Sequence, residues 1–431
     1  MLKKVVIIGA GPAGILLAHY LLRRGKYQIE IFERRSDPRL VEFANVRTFP
    51  ISLQERGRRA IREIEGLEAA VCDRGIFCRE TFLYRKNGKK RLIARKNPIF
   101  TIDRNRLVAT LLDRLTEKVE SSRVTVYFEH QCTEIDANNK TVKLQTKTTN
   151  TISVNYDILI GADGSRSVVR NYLAQQGLQC QETYVPDAYK SVLLPRVDPT
   201  LNFELEADTI HTWRLTTGSN WGIRLLMVPQ PENRLNGVII FDAEKNPFEK
   251  LSTKEEVQAF FRQNFPPLGQ LMSLEEAEAL NQRPVARVLT VSCARLHHGD
   301  SIMILGDAAH AVSPSLGQGC NCSLEDVQVL DRLLDQYQDD WAQVLPEFSN
   351  QRIPDLHALR ELSNYAFPRS KILTLEFFLR LTIRRWLHKL FYKQFQPFVF
   401  DLIFETTLPY SEVLYLSQGW INRVKKSQQF N

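Results

Sequence analysis

At 431 residues the chain has room for two or three domains, and a hydrophobic content of 43% supports a sizeable core, which excludes a disordered or fibrous protein. A formal net charge of +8 comes without any nucleic-acid-binding motif or aromatic-basic repeat, so no nucleic-acid partner is expected. Seven cysteines, an odd number without zinc-type spacing, argue for reduced thiols over a disulfide framework, and no metal site is expected.

The chain enters VVIIGAG almost at once, leaving no room for a secretory leader, so a cytoplasmic location is expected. Residues 3–8 form a β-branched run. ILLAHYLLRRG then has helical periodicity ending on glycine, and QIEIFE reads as a second strand. A helix-like run covers about Ser52 to Ala70, and another runs from Asp103 to Leu115. Strands follow near VTVYFEH and TVKLQTK, and YDILIGADG is a buried strand stopping at Gly-Ala-Asp-Gly. From about Asp187 to Pro284 alternating runs such as HTWRL and GVIIFDA predict an antiparallel sheet. The chain returns to a buried strand at SIMILGD and continues in helices to the end. The predicted class is α/β: a Rossmann-type domain in two parts (1–186 and 285–350), an inserted antiparallel-sheet substrate domain (187–284) and a helical C-terminal region (351–431).

Gly9, Gly11 and Gly14 form G-x-G-x-x-G between strand and helix, and Glu33 ends the next strand. This pattern suits a dinucleotide. Glycine lets backbone approach the pyrophosphate, the helix N-terminus favours its charge, and Glu33 can accept ribose hydroxyls. The triplet alone does not choose between FAD and NAD. Two later stretches do: DILIGADGSRSVVR at 157–170, where Ser165, Arg166, Ser167 and Arg170 begin a helix, and ILGDAAHAVSPSLGQGCNCSLED around Asp307.

Together, in this order and spacing, the three motifs resemble those of single-component flavoprotein monooxygenases, the aromatic hydroxylase family. VRTFPISLQERGRRAI, TIDRNRL and QRIPDLHALRELSNY extend the resemblance to its kynurenine 3-monooxygenase branch over most of the chain. FAD contacts are thereby implied at Ala13, Phe32, Glu33, Arg34, Arg35 and Ser52. Further ones are implied at Arg104, Cys132, Asp163, Asp307, Cys320 and Asn321. In that reading Asp307 ends a strand and accepts flavin ribityl hydroxyls, while Pro314 fixes φ beside the ring. Gly317 and Gly319 permit backbone approach, and a helix starting near Asn321 points N–H groups at the pyrimidine end. Pro314 and Gly317 are the candidate catalytic positions, with no side-chain acid or base assigned.

The resemblance implies NADH or NADPH as reductant, O2 as co-substrate and oxygen transfer from a flavin C4a-hydroperoxide to an electron-rich ring. The family's amino-acid head-group is held by an arginine, two tyrosines and an asparagine. Here Ala366 stands at the asparagine position and Phe400 and Arg95 at the tyrosine positions, and Arg79 matches the arginine across a short gap. A small aromatic or lipophilic substrate, more apolar or differently charged than kynurenine, is therefore expected. His211 and Trp213 are further candidates for facing it.

The same cofactor motifs would also serve a reductase or saturase of a lipid or isoprenoid, or a non-catalytic flavin-binding protein at a membrane surface. Arg380, Arg384, Arg385, His388, Lys389 and Lys393 share a helical stretch with Phe377, Phe378, Leu381, Trp386, Leu387 and Leu390. Residues 369–400 thus read either as a face packed on the flavin domain or as a peripheral membrane contact. Asp401, Glu405, Pro397 and Pro409 argue against a spanning helix.

Overall fold

The structure is a computed structural model describing residues 2–40, 49–85, 88–117, 123–217, 220–368 and 370–429; side chains at 94–96, 216–217, 220–221 and 429 lie outside the description. The β-branched run forms the strand Lys3–Ile8, whose last four residues are buried because strands lie on both sides. It pairs in parallel with Tyr27–Glu33 and with Ile158–Gly161. Val124–Phe128 extends one edge of this six-stranded sheet, and Ile302–Ile304 with the short His297–His298 extends the other. The helix Pro12–Arg24 opens on a proline that has no donor to waste and closes on Gly25 in the left-handed region (φ 75°). It packs against Arg104–Glu117 and Gly319–Gln336. Arg24 ties it to Asp331 at 3.0 Å and to Asp339 at 2.8 Å.

A second sheet has eight strands, in the order Ala286–Cys293, Cys180–Pro195, Arg234–Asp242, Asn220–Gln230, Thr209–Thr217, Ile76–Tyr84, Lys90–Asp103 and Pro50–Leu53. The 187–284 segment supplies its middle, and the flanks come from either side of that segment. Every neighbouring pair is antiparallel except Thr209–Thr217 against Ile76–Tyr84, which is parallel and joins the two chain segments. The expected helix from Ser52 is instead an edge strand, Pro50–Leu53, paired with Lys90–Asp103, followed by two short helices, Glu55–Arg62 and Leu67–Cys72, parted at Gly66 (φ 73°).

One face of the eight-stranded sheet is covered by the helices Lys254–Asn264, Pro266–Leu271 and Leu274–Gln282. Between them lies a core built on Trp213, Phe241, Phe261 and Phe265. Each such side chain contributes about 1.5–3 kcal/mol on burial. The opposite face looks toward the parallel sheet. Four C-terminal helices, Trp341–Tyr365, Lys371–Leu390, Val399–Glu405 and Tyr410–Gln429, close the remaining side and extend the main core through Phe377, Phe398 and Trp420.

Candidate active site

The first turn cannot be built without glycine. Gly9 has φ 106°, and a Cβ there would stand 2.4 Å from the Ala162 carbonyl oxygen; one on Gly14 would stand 2.2 Å from that of Gly9. Glu33 braces the turn, accepting Ala10 N–H at 3.0 Å on one oxygen and Arg35 N–H at 3.0 Å on the other. Each oxygen keeps a second lone pair for a ligand hydroxyl. Arg104 opens its helix beside this turn, with Nη2 3.8 Å from where a Gly11 Cβ would lie. Its guanidinium hydrogen-bonds to no described residue, leaving a cation beside the glycine turn.

The second turn is held from below. Asp163 turns back on its own helix, accepting from Val168 N at 2.6 Å and from Ser167 Oγ, and burial pushes its carboxyl up from the ordinary range. Its side chain therefore supports the turn, which lines the cavity. Arg170, 1% exposed, donates to Ser165 O at 2.8 Å, to Ala308 O at 2.9 Å and to Glu182. It thus ties the second turn to the third, a role that sequence reading did not assign.

In the third stretch Asp307 does not end the strand. Gly306 (φ 61°) reverses the chain after Ile302–Ile304, and Asp307 opens the short helix Asp307–His310. Its carboxylate is exposed to the cavity and accepts no hydrogen bond from a described residue. Below it, Asp326 takes Gly306 N–H at 2.9 Å, His310 Nε2 at 2.5 Å and Arg352 Nε at 2.8 Å, which makes His310 part of a buried charged support. Gly317 sits at φ 62°, and the helix begins at Gly319, two residues before Asn321. Asn321 spends its amide internally: it accepts Gln54 N–H at 2.8 Å and donates to Ser52 O at 2.9 Å and Gly317 O at 3.0 Å. Gln318, also missed from sequence, bridges Gln54 and Tyr410. The Cys320 thiol is pushed up to about 12 by burial and the nearby Asp307, and Cys132 likewise by burial and Asp163, so both are neutral packing groups.

All three turns line one cavity of about 2120 Å3. Ala13, Phe32, Arg34, Arg35, Ser52, Arg104, Cys132, Pro314, Gly317, Gly319 and Cys320 border it, and Phe400 borders its far end. Asn321 is fully buried behind the wall. Four substrate candidates are placed elsewhere. Alternation along Thr209–Thr217 turns Ile210, Thr212 and Arg214 to the cavity and sends His211 and Trp213 into the opposite core, where Trp213 stacks on Tyr84 at 4.3 Å. Arg79 lies at a bulge and is exposed away from the cavity. Ala366 is buried with its carbonyl accepting Trp420 Nε1 at 2.9 Å, while its neighbours Asn364 and Tyr365 border the cavity. The side chain of Arg95 lies outside the described residues. Arg214, unforeseen, stands over the Phe367 ring at 4.6 Å. Burial and the nearby Arg224 push it down to about 10, leaving a cation at neutral pH.

A glycine turn at a helix N-terminus, with the Arg104 cation beside it and the Asp307 carboxylate beyond, neither hydrogen-bonded to a described residue, fits a long dinucleotide. Together they define an FAD-dependent flavoprotein of the aromatic hydroxylase fold. The family model described as "FAD binding domain" matches residues 3–352, and the chain belongs to that family as an FAD-dependent monooxygenase. It is 30% identical over 433 residues to kynurenine 3-monooxygenase of Sus scrofa, covering 99% of this chain and 88% of the relative. It is 27% identical over 423 residues to violacein synthase of Chromobacterium violaceum, covering 96% of each. Among solved structures, tetrameric 2-methyl-3-hydroxypyridine-5-carboxylic acid oxygenase superposes with TM-score 0.67 at 21% identity, covering 84% of this chain and 90% of that one.

Proposed function

We propose that the protein uses NADH or NADPH and O2 to hydroxylate an aromatic acid more apolar than kynurenine. The observation that carries this reading is the make-up of the cavity near Pro314–Gly319: its lining includes the aromatic rings of Phe367, Phe377, Phe400 and Phe404, with the half-buried cation Arg214 standing over Phe367. Bound and reduced FAD supplies the activation of O2. The chain's own residues do the rest. N–H groups opening the helix Gly319–Gln336 favour negative charge at the ring's edge. The phenylalanines exclude water, and Arg214 anchors an anionic group so that the ring is held in one orientation. Asn364 adds an amide to this wall, so the absence of an amide at Ala366 does not leave the pocket wholly apolar.

The test is NAD(P)H oxidation with a panel of aromatic acids, kynurenine and neutral aromatics, with product mass measured. Stimulated oxidation with an oxygenated aromatic acid supports the reading. Reduction of a lipid double bond without oxygen incorporation would favour the saturase alternative.

A second reading concerns location at a membrane surface. No described helix is long and apolar enough to cross a membrane. Ile372, Leu375, Leu379 and Trp386, spaced on one side of Lys371–Leu390, are 80%, 73%, 59% and 61% exposed, while Phe377 and Leu381 face the core. Lys371, Arg384 and Lys389 accompany this stripe, and their charge selects an anionic bilayer surface as its partner. Co-sedimentation with phosphatidylserine vesicles tests it: binding to these vesicles, lost in Leu375→Ser/Leu379→Ser and absent with phosphatidylcholine vesicles, is expected, and absence of binding to anionic vesicles would refute it.

A further inference from the structure

Cys180 opens the strand Cys180–Pro195 and Cys293 closes Ala286–Cys293, and the two stand directly opposite in the antiparallel ladder. Ala294 N–H donates to Gln179 O at 2.9 Å, so the adjacent pair carries the ladder hydrogen bond. The cysteines therefore occupy a non-hydrogen-bonded position, where opposed Cα atoms approach to about 4.5 Å. That spacing lies at the short end of the range a disulfide spans, about 4.4–6.8 Å, so the bond requires no change of register. The two Sγ atoms are 2.7 Å apart. Cys293 is buried, while Cys180 is half-buried and reachable by a small oxidant.

Cys180 is the more accessible of the two sulfurs and is the one an incoming peroxide meets first. Cys293 hydrogen-bonds to Cys180 and holds its thiol below the ordinary range, Arg170 adding to the effect, while Cys293 is pushed up. The pair is also wired to the cofactor loop. Two residues before Cys293, Val291 N–H donates to Ala311 O at 2.8 Å, and two residues after Cys180, Glu182 accepts from Arg170, which holds Ala308 O.

We propose that Cys180 and Cys293 are a reversible dithiol–disulfide site oxidised by hydrogen peroxide. The Cys180 thiolate attacks one peroxide oxygen, breaking the O–O bond and forming a sulfenic acid as hydroxide leaves and takes up a proton. Cys293 then attacks the Cys180 sulfur, giving up its proton; the S–S bond forms and the sulfenyl oxygen departs as water. Two thiols and one peroxide yield one disulfide and two waters, the sulfurs losing two electrons and the peroxide gaining them. The cross-link fastens the strand that holds Ala311 to the strand that bears Glu182.

The experiment treats the FAD-loaded full chain with stoichiometric hydrogen peroxide and counts thiols after denaturation. The expected result is loss of two of the seven thiols, a peptide cross-linking 180 to 293 by mass spectrometry, and full recovery with dithiothreitol. Cys293→Ser is expected to trap a sulfenic acid at Cys180 that dimedone labels, with no cross-link. Retention of all seven thiols, or cross-links and oxidation confined to other cysteines, would overturn the proposal. The thiol count and peptide map on the unsubstituted protein decide the matter even if a variant folds poorly.

Discussion

The guanidinium of Arg170 donates to the Ala308 carbonyl at 2.9 Å, so a single buried cation joins the turn after Asp163 to the turn bearing Asp307. Asp163 and Asp326 brace the two turns separately, and Arg170 is the side chain that bonds to both. Arg170→Met is expected to cost about 1.5–3 kcal/mol of stability through the charged hydrogen bonds it removes, and to weaken FAD retention. Arg170→Lys is expected to rescue little, because one ammonium cannot meet Ala308, Ser165 and Glu182 together. Thermal denaturation with and without added FAD checks both.

Arg104 and Asp307 present the opposite case, since neither side chain hydrogen-bonds to a described residue. Arg104→Ala and Asp307→Ala should each weaken FAD binding by about 1.5–3 kcal/mol while leaving the melting temperature of the cofactor-free protein within about a degree or two. Fluorescence titration of apoprotein with FAD gives the first quantity and scanning calorimetry the second. Unchanged affinity in both variants would remove the two groups from the cofactor site.

Arg214 is a half-buried cation lining the cavity, and under the proposed function its replacement by methionine separates substrate binding from cofactor binding. Arg214→Met is expected to leave FAD affinity unchanged and raise the KM for an anionic aromatic substrate about tenfold or more, with little effect on a neutral analogue. Steady-state kinetics with a matched acid and amide pair measures the difference.

His211 provides a pH signature of the second core. Burial outweighs the Glu206 carboxylate 4.0 Å away and pushes the imidazole from its ordinary 6.5 down to about 4, with Tyr84 Oη 3.0 Å from Nδ1. Between those values the unfolded chain binds the proton more readily. Stability is therefore intact above pH 6.5 and falls as pH drops toward 4, by on the order of 3 kcal/mol. Urea denaturation from pH 7 to 4 in the native protein and in His211→Gln should show that slope flattened in the variant.

The parallel sheet and glycine turns were legible because their constraints are local: a β-branched run between Gly9 and a periodic helix has few other uses. Most positions named from the three motifs border one cavity, so their convergence was legible. The aromatic wall around Arg214 was not. Reading TIHTWRL as a strand was right, yet choosing the odd-numbered residues placed His211 and Trp213 toward substrate, when the pleat turns Thr212 and Arg214 that way. Two buried sheet faces carry no polarity contrast to set the phase. Ala366 failed similarly, since a helix end places Asn364 and Tyr365 on the cavity through tertiary packing that spacing alone does not encode. Arg170, Gln318 and Gln54 were missed because their partners are distant in sequence.

Both edges of the eight-stranded sheet end on the same eleven-residue span, Ala311 to Asn321: Val291 of one edge strand donates to Ala311 O, and Ser52 of the other accepts from Asn321. That span acts as the keystone of an arch. Fixing it sets the width of the cavity between the two sheets, and loosening it frees two strand edges at once, each a template for pairing with another chain. Cofactor loss is therefore expected to promote self-association as well as inactivity, which size-exclusion chromatography of the FAD-free protein checks.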